Sequence, residues 1–361
     1  MIFVDAREIQ GKTYGVGRYL KNLLREWNES RGCFTLILTR KIELPYPYEH
    51  LILPGDGKWK WELFSLKKFL NSRKNTPYFT PGYYLPIGIN NPSAFILHDI
   101  SFIDHPEWFN PRERLKLNLL VRTSAKKACY IFTVSEFSRG RIIEKLNVAE
   151  EKVIIARQGL DPDIKYDEEG GLNFRKKHGI EGKMVLYVGA MFRRRNIPLL
   201  LDGFSLARKE EEIDLVIVGE DRTWPPQRLA GKIHQTPGVH YFPYLSQKEL
   251  IEAYSAADLF VYISEYEGFG MPPMEAASCN TPLLLYSSDA LKEIYGDAAI
   301  YLQERDPEEL SKKILSLLFD TTLRDKMIKL AKERIKRYSW KDAADKIKEA
   351  LFELDPHCNN S

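Results

Sequence analysis

The chain has 361 residues, 44% of them hydrophobic, with a formal net charge of +3. That length exceeds what one ordinary core serves and fits two domains, and so small a charge leaves no general nucleic-acid footprint. Four cysteines, Cys33, Cys129, Cys279 and Cys358, are scattered without a Cys-x-x-Cys pair, which argues against a disulfide framework and a zinc site and points to a reducing cytoplasm.

The first residues, Met1 to Asp5, read as a strand. No basic region followed by an apolar segment precedes it, so no secretory signal is expected, and no stretch is long enough to cross a bilayer. Any membrane contact is therefore expected to be peripheral. Gly15-Val16-Gly17 comes next, ahead of a helix expected near Tyr19 to Trp27. A dinucleotide fingerprint would need a third glycine where Leu20 stands, which disfavours an NAD-dependent oxidoreductase.

Lys58 to Phe69 mixes aromatic and basic residues at near-helical spacing. The favoured reading is a helix that packs Trp59, Leu63, Leu66 and Leu70 onto a sheet; the rival is a helix lying on an anionic membrane. Strands are expected at 35–38, 94–97 and 130–134, and helices at 111–127 and 136–146. His98 and Asp99 follow the second of these strands, so they belong at the carboxyl edge of a sheet. His98 there either hydrogen-bonds a ligand hydroxyl or serves a turn. Asp161-Pro162-Asp163 reads as a turn rather than a metal site. Residues 161–172 are rich in charge, proline and glycine, with Glu168 to Gly171 the best linker candidate.

Beyond it, strands are expected at 184–189, 215–219, 239–242 and 259–264, with capping boxes at Ser246-x-x-Glu249 and Asp306 to Glu309. Strands alternating with amphipathic helices in both halves predict two doubly wound α/β domains and a cleft facing the carboxyl ends of both sheets. Arg193-Arg194-Arg195 follows the strand that ends at Gly189. Three consecutive arginines at that edge are not needed for packing, and guanidinium forks suit phosphate oxygens. After the strand 259–264 comes Glu265-Tyr266-Glu267-Gly268-Phe269-Gly270-Met271-Pro272-Pro273-Met274-Glu275. Gly268 and Gly270 permit a sharp turn, Pro272 and Pro273 suit a first helical turn, and Glu275 is expected within that turn beside its positive end. Glu267, before the turn, would grip a different part of the same ligand.

The string Ser264-x-x-Glu267-Gly268-Phe269-Gly270-x-Pro272-Pro273-x-Glu275-Ala276, with Cys279-x-Thr281-Pro282, resembles the Glu-x7-Glu signature of retaining nucleotide-sugar glycosyltransferases of family 4, in group 1. Gly15 to Tyr19, His98-Asp99, Thr133 to Arg139, Tyr187 to Gly189, Arg194 to Asn196 and Ser339-Trp340 fall in that family's order. Asn280 stands where glycine is usual, and Arg195 where lysine is usual. The resemblance implies a GT-B fold of two Rossmann-like domains, 1–165 plus a returning helix in 342–361, and 172–341. It implies a sugar moved from a nucleotide donor with retention, with no metal or other cofactor. Arg194 and Arg195 would hold the diphosphate beside Gly189, and Glu275 the ribose. Backbone near Tyr244 and Leu245 would meet the base, and Glu267 with the amides of Gly268, Phe269, Gly270 and Met271 the sugar. His98 would contact the donor sugar, and the Gly15–Gly17 loop would close over its phosphates. Arg193 would face solvent or acceptor.

The pattern is most similar to bacterial and archaeal mannosyltransferases of surface polysaccharide synthesis, so GDP-mannose is the first expected donor and a glycan or lipid-linked glycan the acceptor. A UDP-sugar donor, a related GT-B epimerase or phosphorylase, and a sugar-nucleotide sensor without turnover are the alternatives. Tyr83, Tyr84, Trp108 and Phe109 are candidates to stack on acceptor sugars or to fill core.

Overall fold

The computed structural model describes residues 1–11, 15–44 and 46–354; Cys358 and residues 355–361 of the expected returning segment lie outside the described residues. The chain divides into two compact units. One comprises residues 1–104, 111–159 and 339 onward, the other residues 105–110 and 160–338.

The first unit is built on seven strands: β1 (Ile2–Asp5), β2 (Phe34–Leu38), β3 (Glu49–Ile52), β4 (Tyr78–Thr80), β5 (Ser93–Ile96), β6 (Tyr130–Thr133) and β7 (Val153–Ile155). They pair in parallel in the order β3-β2-β1-β4-β5-β6-β7. β1, β2, β4 and β5 are buried throughout, as runs such as Ile2-Phe3-Val4 require when helices cover both faces. β3, at the edge, is exposed along its length. The helix Gly15–Glu26 takes Gly15 and Gly17 into its own first turn, so the pair does not form a loop ahead of the helix as expected. The helix Trp340–Glu353 returns to this unit: Trp27 Nε1 donates to Ala344 O at 2.8 Å, and the Trp340 ring meets Tyr19 edge-on at 5.0 Å.

The chain adds β2 and β3 on one side of β1 and β4 on the other, so the switch point lies beyond Asp5, between β1 and β4. Arg7 closes that switch point. Its Nε and Nη2 donate to Asp5 at 2.9 and 2.6 Å and its Nη1 to Glu62 at 2.8 Å, while Tyr78 OH donates to Asp5 at 3.1 Å. Burial opposes ionisation of Asp5, but the charge and hydrogen bonds of Arg7 outweigh it and hold the carboxyl below its ordinary range. Through Glu62 this network anchors the Lys58 to Phe69 segment, where the expected stripe holds at Leu66 and Leu70, is half-buried at Leu63 and fails at Trp59. Residues Glu62–Leu66 form a π turn, which inserts an extra residue per turn and rotates the face that packs. Trp61, Leu66 and Leu70 are buried; Trp59 and Phe64 stand 52% and 71% exposed.

The second unit carries six parallel strands, β8 (Lys183–Val188), β9 (Ile213–Val218), β10 (Val239–Phe242), β11 (Leu259–Tyr262), β12 (Leu283–Tyr286) and β13 (Ile300–Leu302), in the order β10-β9-β8-β11-β12-β13. Its switch point lies between β8 and β11. Glu168 to Gly171, the linker candidate, instead opens the helix Glu168–His178, with Asp167 as N-cap accepting from Gly170 N at 2.9 Å. The glycines serve close packing: a Cβ on Gly171 would stand 2.9 Å from the Ser255 carbonyl carbon. Ser246 and Glu249 make the full reciprocal capping box. Asp306 caps its helix through Glu308 N at 2.9 Å, but Glu309 turns back to the N–H groups of Gln303 and Glu304, both at 3.4 Å, and closes no box. Asp163 N and Ile164 N both donate to Asp161, giving the expected turn.

Two glycines test this packing. A Cβ on Gly159 would stand 2.3 Å from Trp340 N, whereas one on Gly140, inside the exposed face of the helix Glu136–Leu146, would meet nothing within 4 Å. Gly159→Ala should cost about 1–3 kcal/mol. Gly140→Ala should stabilise by roughly 0.5–1 kcal/mol. Urea or thermal melts read both; equal melting of Gly159→Ala and the parent protein would contradict the seat described for Trp340.

Candidate functional site

In an open α/β sheet, loops leave the carboxyl ends of strands in opposite directions at the switch point, and a crevice opens there. In the second unit the two loops are Gly189 to Asn196, after β8, and Ile263 to Gly270, after β11. They are tied together. Glu265 N donates to Arg194 O at 2.9 Å, and Asn196 Nδ2 donates to Ile263 O at 3.2 Å and Glu265 Oε1 at 2.6 Å. Asn196 takes a left-handed backbone, φ 50°, which lets the turn Arg193–Arg195 pass into the helix Ile197–Glu210.

Arg195 and Glu267 meet at the centre of this junction. Arg195 Nε donates to Glu267 Oε1 at 3.1 Å, and each side chain is about nine-tenths buried, at 11% and 10% exposure. The same Oε1 accepts from Tyr262 OH at 2.9 Å and Ser264 Oγ at 2.8 Å. Burial opposes the charge on Glu267, but Arg195, Arg194 and these two hydroxyls override it, so the carboxyl titrates below its ordinary range. Burial likewise opposes the Arg195 cation, and its surroundings, with Glu267 among them, reverse that and raise its pKa well above the ordinary value. The guanidinium lies over the Tyr262 ring at 5.0 Å, and Tyr187 stacks on Tyr262 at 6.0 Å. Arg195 Nη1 also donates to Ala190 O at 2.9 Å. Gly189, with φ +143°, makes room for this: a Cβ there would stand 2.2 Å from Arg195 Nη1.

Arg194 is placed differently. Its guanidinium lies over Phe192 at 4.5 Å, its Nε stands 4.0 Å from Glu267 Oε1, and that buried Nε has no hydrogen-bond acceptor among the described residues. Two cations therefore share one carboxylate, which leaves an excess positive charge at the switch point. Glu265 does not cancel it, being engaged by Asn196 and Arg305. Arg193 is exposed.

The glycine turn continues the site. Gly270, at φ +86°, is the N-cap of the helix Met271–Ser278, and Tyr295 OH donates to its carbonyl. Among the described residues, no backbone hydrogen bond is made by the N–H groups of Gly268, Phe269, Gly270 and Met271, while Pro272 and Pro273 have none to offer. Glu275 departs from expectation. It is the fifth residue of the helix and opens the second turn, where its buried Oε2 accepts from Tyr254 OH at 2.8 Å. Four residues, Met271 to Met274, complete the first turn ahead of it, and its carboxylate answers the Tyr254 hydroxyl. Tyr244 and Leu245 follow β10, two strands from β8.

In the first unit, His98 follows β5 and joins a cluster that the sequence did not disclose. Tyr19 meets its ring edge-on at 5.2 Å, Tyr83 lies at 6.0 Å, and Gln158 Nε2 approaches its Nδ1 at 3.5 Å. His98 Nε2, Gln158 Oε1 and Trp340 Nε1 are buried polar atoms without a hydrogen-bond partner among the described residues. Such atoms are costly unless a ligand or water meets them. Trp108 stacks on His105 at 3.9 Å, and both rings meet Tyr266, the neighbour of Glu267.

Residues 172–334 match the family model described as glycosyl transferases group 1. Over 283 residues the chain is 29% identical to O-antigen chain mannosyltransferase B of Escherichia coli, spanning 76% of this chain and 73% of that protein. It is 25% identical over 221 residues to O-antigen chain mannosyltransferase RfbU of Salmonella typhimurium, spanning 61% and 59% of the two chains. Among solved structures, Anabaena Alr3699/HepE in complex with UDP and glucose superposes with a TM-score of 0.77 at 17% identity, over 97% of this chain and 99% of that one. WaaG, a glycosyltransferase involved in lipopolysaccharide biosynthesis, does so with a TM-score of 0.77 at 16% identity, over 97% and 99%. Both likenesses give the two parallel sheets their architecture, GT-B.

Burial of the His98 ring pushes its pKa down to about 4, against the opposing pull of Asp99. An unfolded histidine titrates near 6.5, so the unfolded chain binds the proton first. The stabilisation is whole above about pH 6.5 and is lost as pH falls towards 4, by up to about 3 kcal/mol. His98→Gln should flatten the melting profile across that window. An unchanged profile would contradict the enclosed, neutral imidazole.

Proposed function

Because residues 172–334 match the model of glycosyl transferases group 1, we propose that this chain moves a hexose from a nucleoside diphosphate sugar to a glycan or lipid-linked glycan, with retention and without a metal. The observation that carries this reading is the excess charge at the second unit's switch point, where Arg194 and Arg195 face the single carboxylate of Glu267. Two guanidinium groups at that edge suit a diphosphate. Arg194 has the unmet donor, and Arg195 fixes Glu267.

The sugar then sits against Glu267 and the N–H groups of Gly268 to Met271, and the ribose against Glu275. His98 is proposed to contact the donor sugar, with Gly15 and Gly17 beside the phosphates, and Tyr244 and Leu245 to meet the base. As the bond between the anomeric carbon and the diphosphate oxygen breaks, negative charge grows on the leaving oxygen. Fixed arginines and amides stabilise that charge more than they stabilise the ground state, a task a metal otherwise performs. The acceptor hydroxyl forms the new bond on the face the diphosphate leaves, and its proton passes to a diphosphate oxygen. No protein base is required.

GDP-mannose is the proposed donor. Support comes from the names of the relatives, O-antigen chain mannosyltransferase B and mannosylfructose-phosphate synthase of Agrobacterium fabrum among them. A UDP-sugar is the second reading, favoured by the likeness to Anabaena Alr3699/HepE, solved with UDP and glucose. The free thiols of Cys33, Cys129 and Cys279 suit a reducing cytoplasm, and no helix among the described residues is long and apolar enough to cross a membrane.

Thermal shifts with GDP, UDP, ADP and their sugar conjugates, each with magnesium and with EDTA, read the donor directly. The expected result is a metal-independent shift with the guanine series. No shift with any nucleotide would overturn the reading. Because no described residue accepts from the Arg194 Nε, Arg194→Ala should leave the melting temperature nearly unchanged and cut transfer about 100-fold or more. Undiminished turnover would remove Arg194 from the site. Nuclear magnetic resonance of the first-formed product distinguishes retention from inversion.

A further inference from the structure

Among the described residues, Gln158 alone comes within hydrogen-bond distance of the His98 imidazole, its Nε2 standing 3.5 Å from Nδ1. The two side chains leave different strand ends of the first unit. His98 follows β5 and Gln158 follows β7, two strands away, a gap of about 10 Å at ordinary strand spacing. Both backbones are held. Thr133 Oγ1 donates to Leu97 O at 2.8 Å and Ser138 Oγ to His98 O at 3.1 Å. On the other side, Tyr19 OH donates to Ala156 O at 3.1 Å, and Gly159 is seated against Trp340 N with no room for a Cβ. The imidazole packs against the rings of Tyr19 and Tyr83, and Gln158 itself is buried.

A neutral imidazole carries its one proton on either nitrogen, and a neighbour that only donates or only accepts decides which. Burial keeps His98 neutral at neutral pH, lowering its pKa to about 4. An amide nitrogen only donates, so Nδ1 opposite Gln158 Nε2 offers its lone pair and the ring proton goes to Nε2. We infer that Gln158 is a positioning residue that fixes His98 as the Nε2–H tautomer, so that the ring presents a donor where the other tautomer would present an acceptor. His98 Nε2 is buried, and no described residue meets it, so its N–H awaits an oxygen that the fold does not supply. The amide turned over would set Oε1 on Nδ1, draw the proton there and make Nε2 an acceptor. The use of this donor rests on the proposed reading of His98 as a contact to the donor sugar. A sugar hydroxyl meeting the N–H accepts from it, and its own proton is left to donate to a second partner.

Long-range proton–nitrogen nuclear magnetic resonance of the histidine rings, on the isotope-labelled full chain at neutral pH, reads the tautomer without donor or acceptor. The His98 signals are assigned by their loss in His98→Gln. A ring with its proton on Nε2 and a bare Nδ1 is expected. Gln158→Glu sets an accepting carboxylate at Nδ1 and should place a proton there. Gln158→Leu removes the amide and should show both tautomers in exchange. A parent ring protonated on Nδ1, or the parent pattern kept in either variant, would overturn the inference. Transfer is read separately: Gln158→Leu should lower kcat/KM about tenfold, the worth of one hydrogen bond. Full turnover in a variant whose tautomer has shifted would overturn the role. A tautomer that follows these patterns in a chain inactive with every nucleotide sugar would sustain the assignment of Gln158 and fail only the transferase reading.

Discussion

Glu267 and Arg195 form a buried ion pair on which the rest of the second unit's switch point is arranged. Removing two charges from water costs several kcal/mol per ion, and the attraction between them repays this only when other groups complete the shell. Here the shell is supplied by residues of three successive origins. Tyr262, the last residue of β11, and Ser264, just beyond it, donate to the same carboxylate oxygen that Arg195 holds. The faces of Tyr262 and Phe192 flank the guanidinium. Gly189 gives it space by having no side chain. The fixed pair then presents a carboxylate and a neighbouring cation at one place, which an uncompensated charge could not do without either neutralising or moving.

The two units solve the same topological problem and end with different charge. Each sheet reverses its direction of growth beside its first strand. In the first unit the switch point is closed by Arg7, whose charge is met by Asp5 and Glu62, with Tyr78 completing the network. Two carboxylates there meet one cation and lock a helix to the sheet. In the second unit the ratio is inverted, and Arg194 rests on an aromatic face beside a carboxylate already engaged by its neighbour. An excess of fixed cation at a strand's carboxyl edge favours an anion, and the anion we propose is a diphosphate. Fixed cations would stabilise charge growing on it during bond breaking with no reorganisation at that moment.

The sheets were legible in the sequence because parallel strands buried on both faces are written as short apolar runs, and Leu259 to Ile263 or Met184 to Val188 have no other economical reading. The loop after β11 was legible too, since glycine, two prolines and two glutamates are an unusual set to follow a strand. What hid was whatever depends on a partner far along the chain. Glu275 answers Tyr254, 21 residues earlier, so its helix position alone misplaced it beside the dipole. Gly170 and Gly171 have the composition of a linker and are in fact contact surfaces for the helix Gln247–Ala256. A π turn shifted the packed face from Trp59 to Trp61, and local periodicity carries no sign of that extra residue. Gln158 gave no signal by type; only its approach to His98 identifies it.

The central claim is that the unmet donor of Arg194 belongs to a diphosphate. A crystal structure of the chain with the nucleoside diphosphate that stabilises it is the direct measurement. The account predicts diphosphate oxygens within hydrogen-bond distance of the Arg194 guanidinium, with Arg195 close by and still on Glu267. A nucleotide bound with its phosphates away from Arg194, or an Arg194 that keeps its place on Phe192 while the phosphates are held elsewhere, would contradict it.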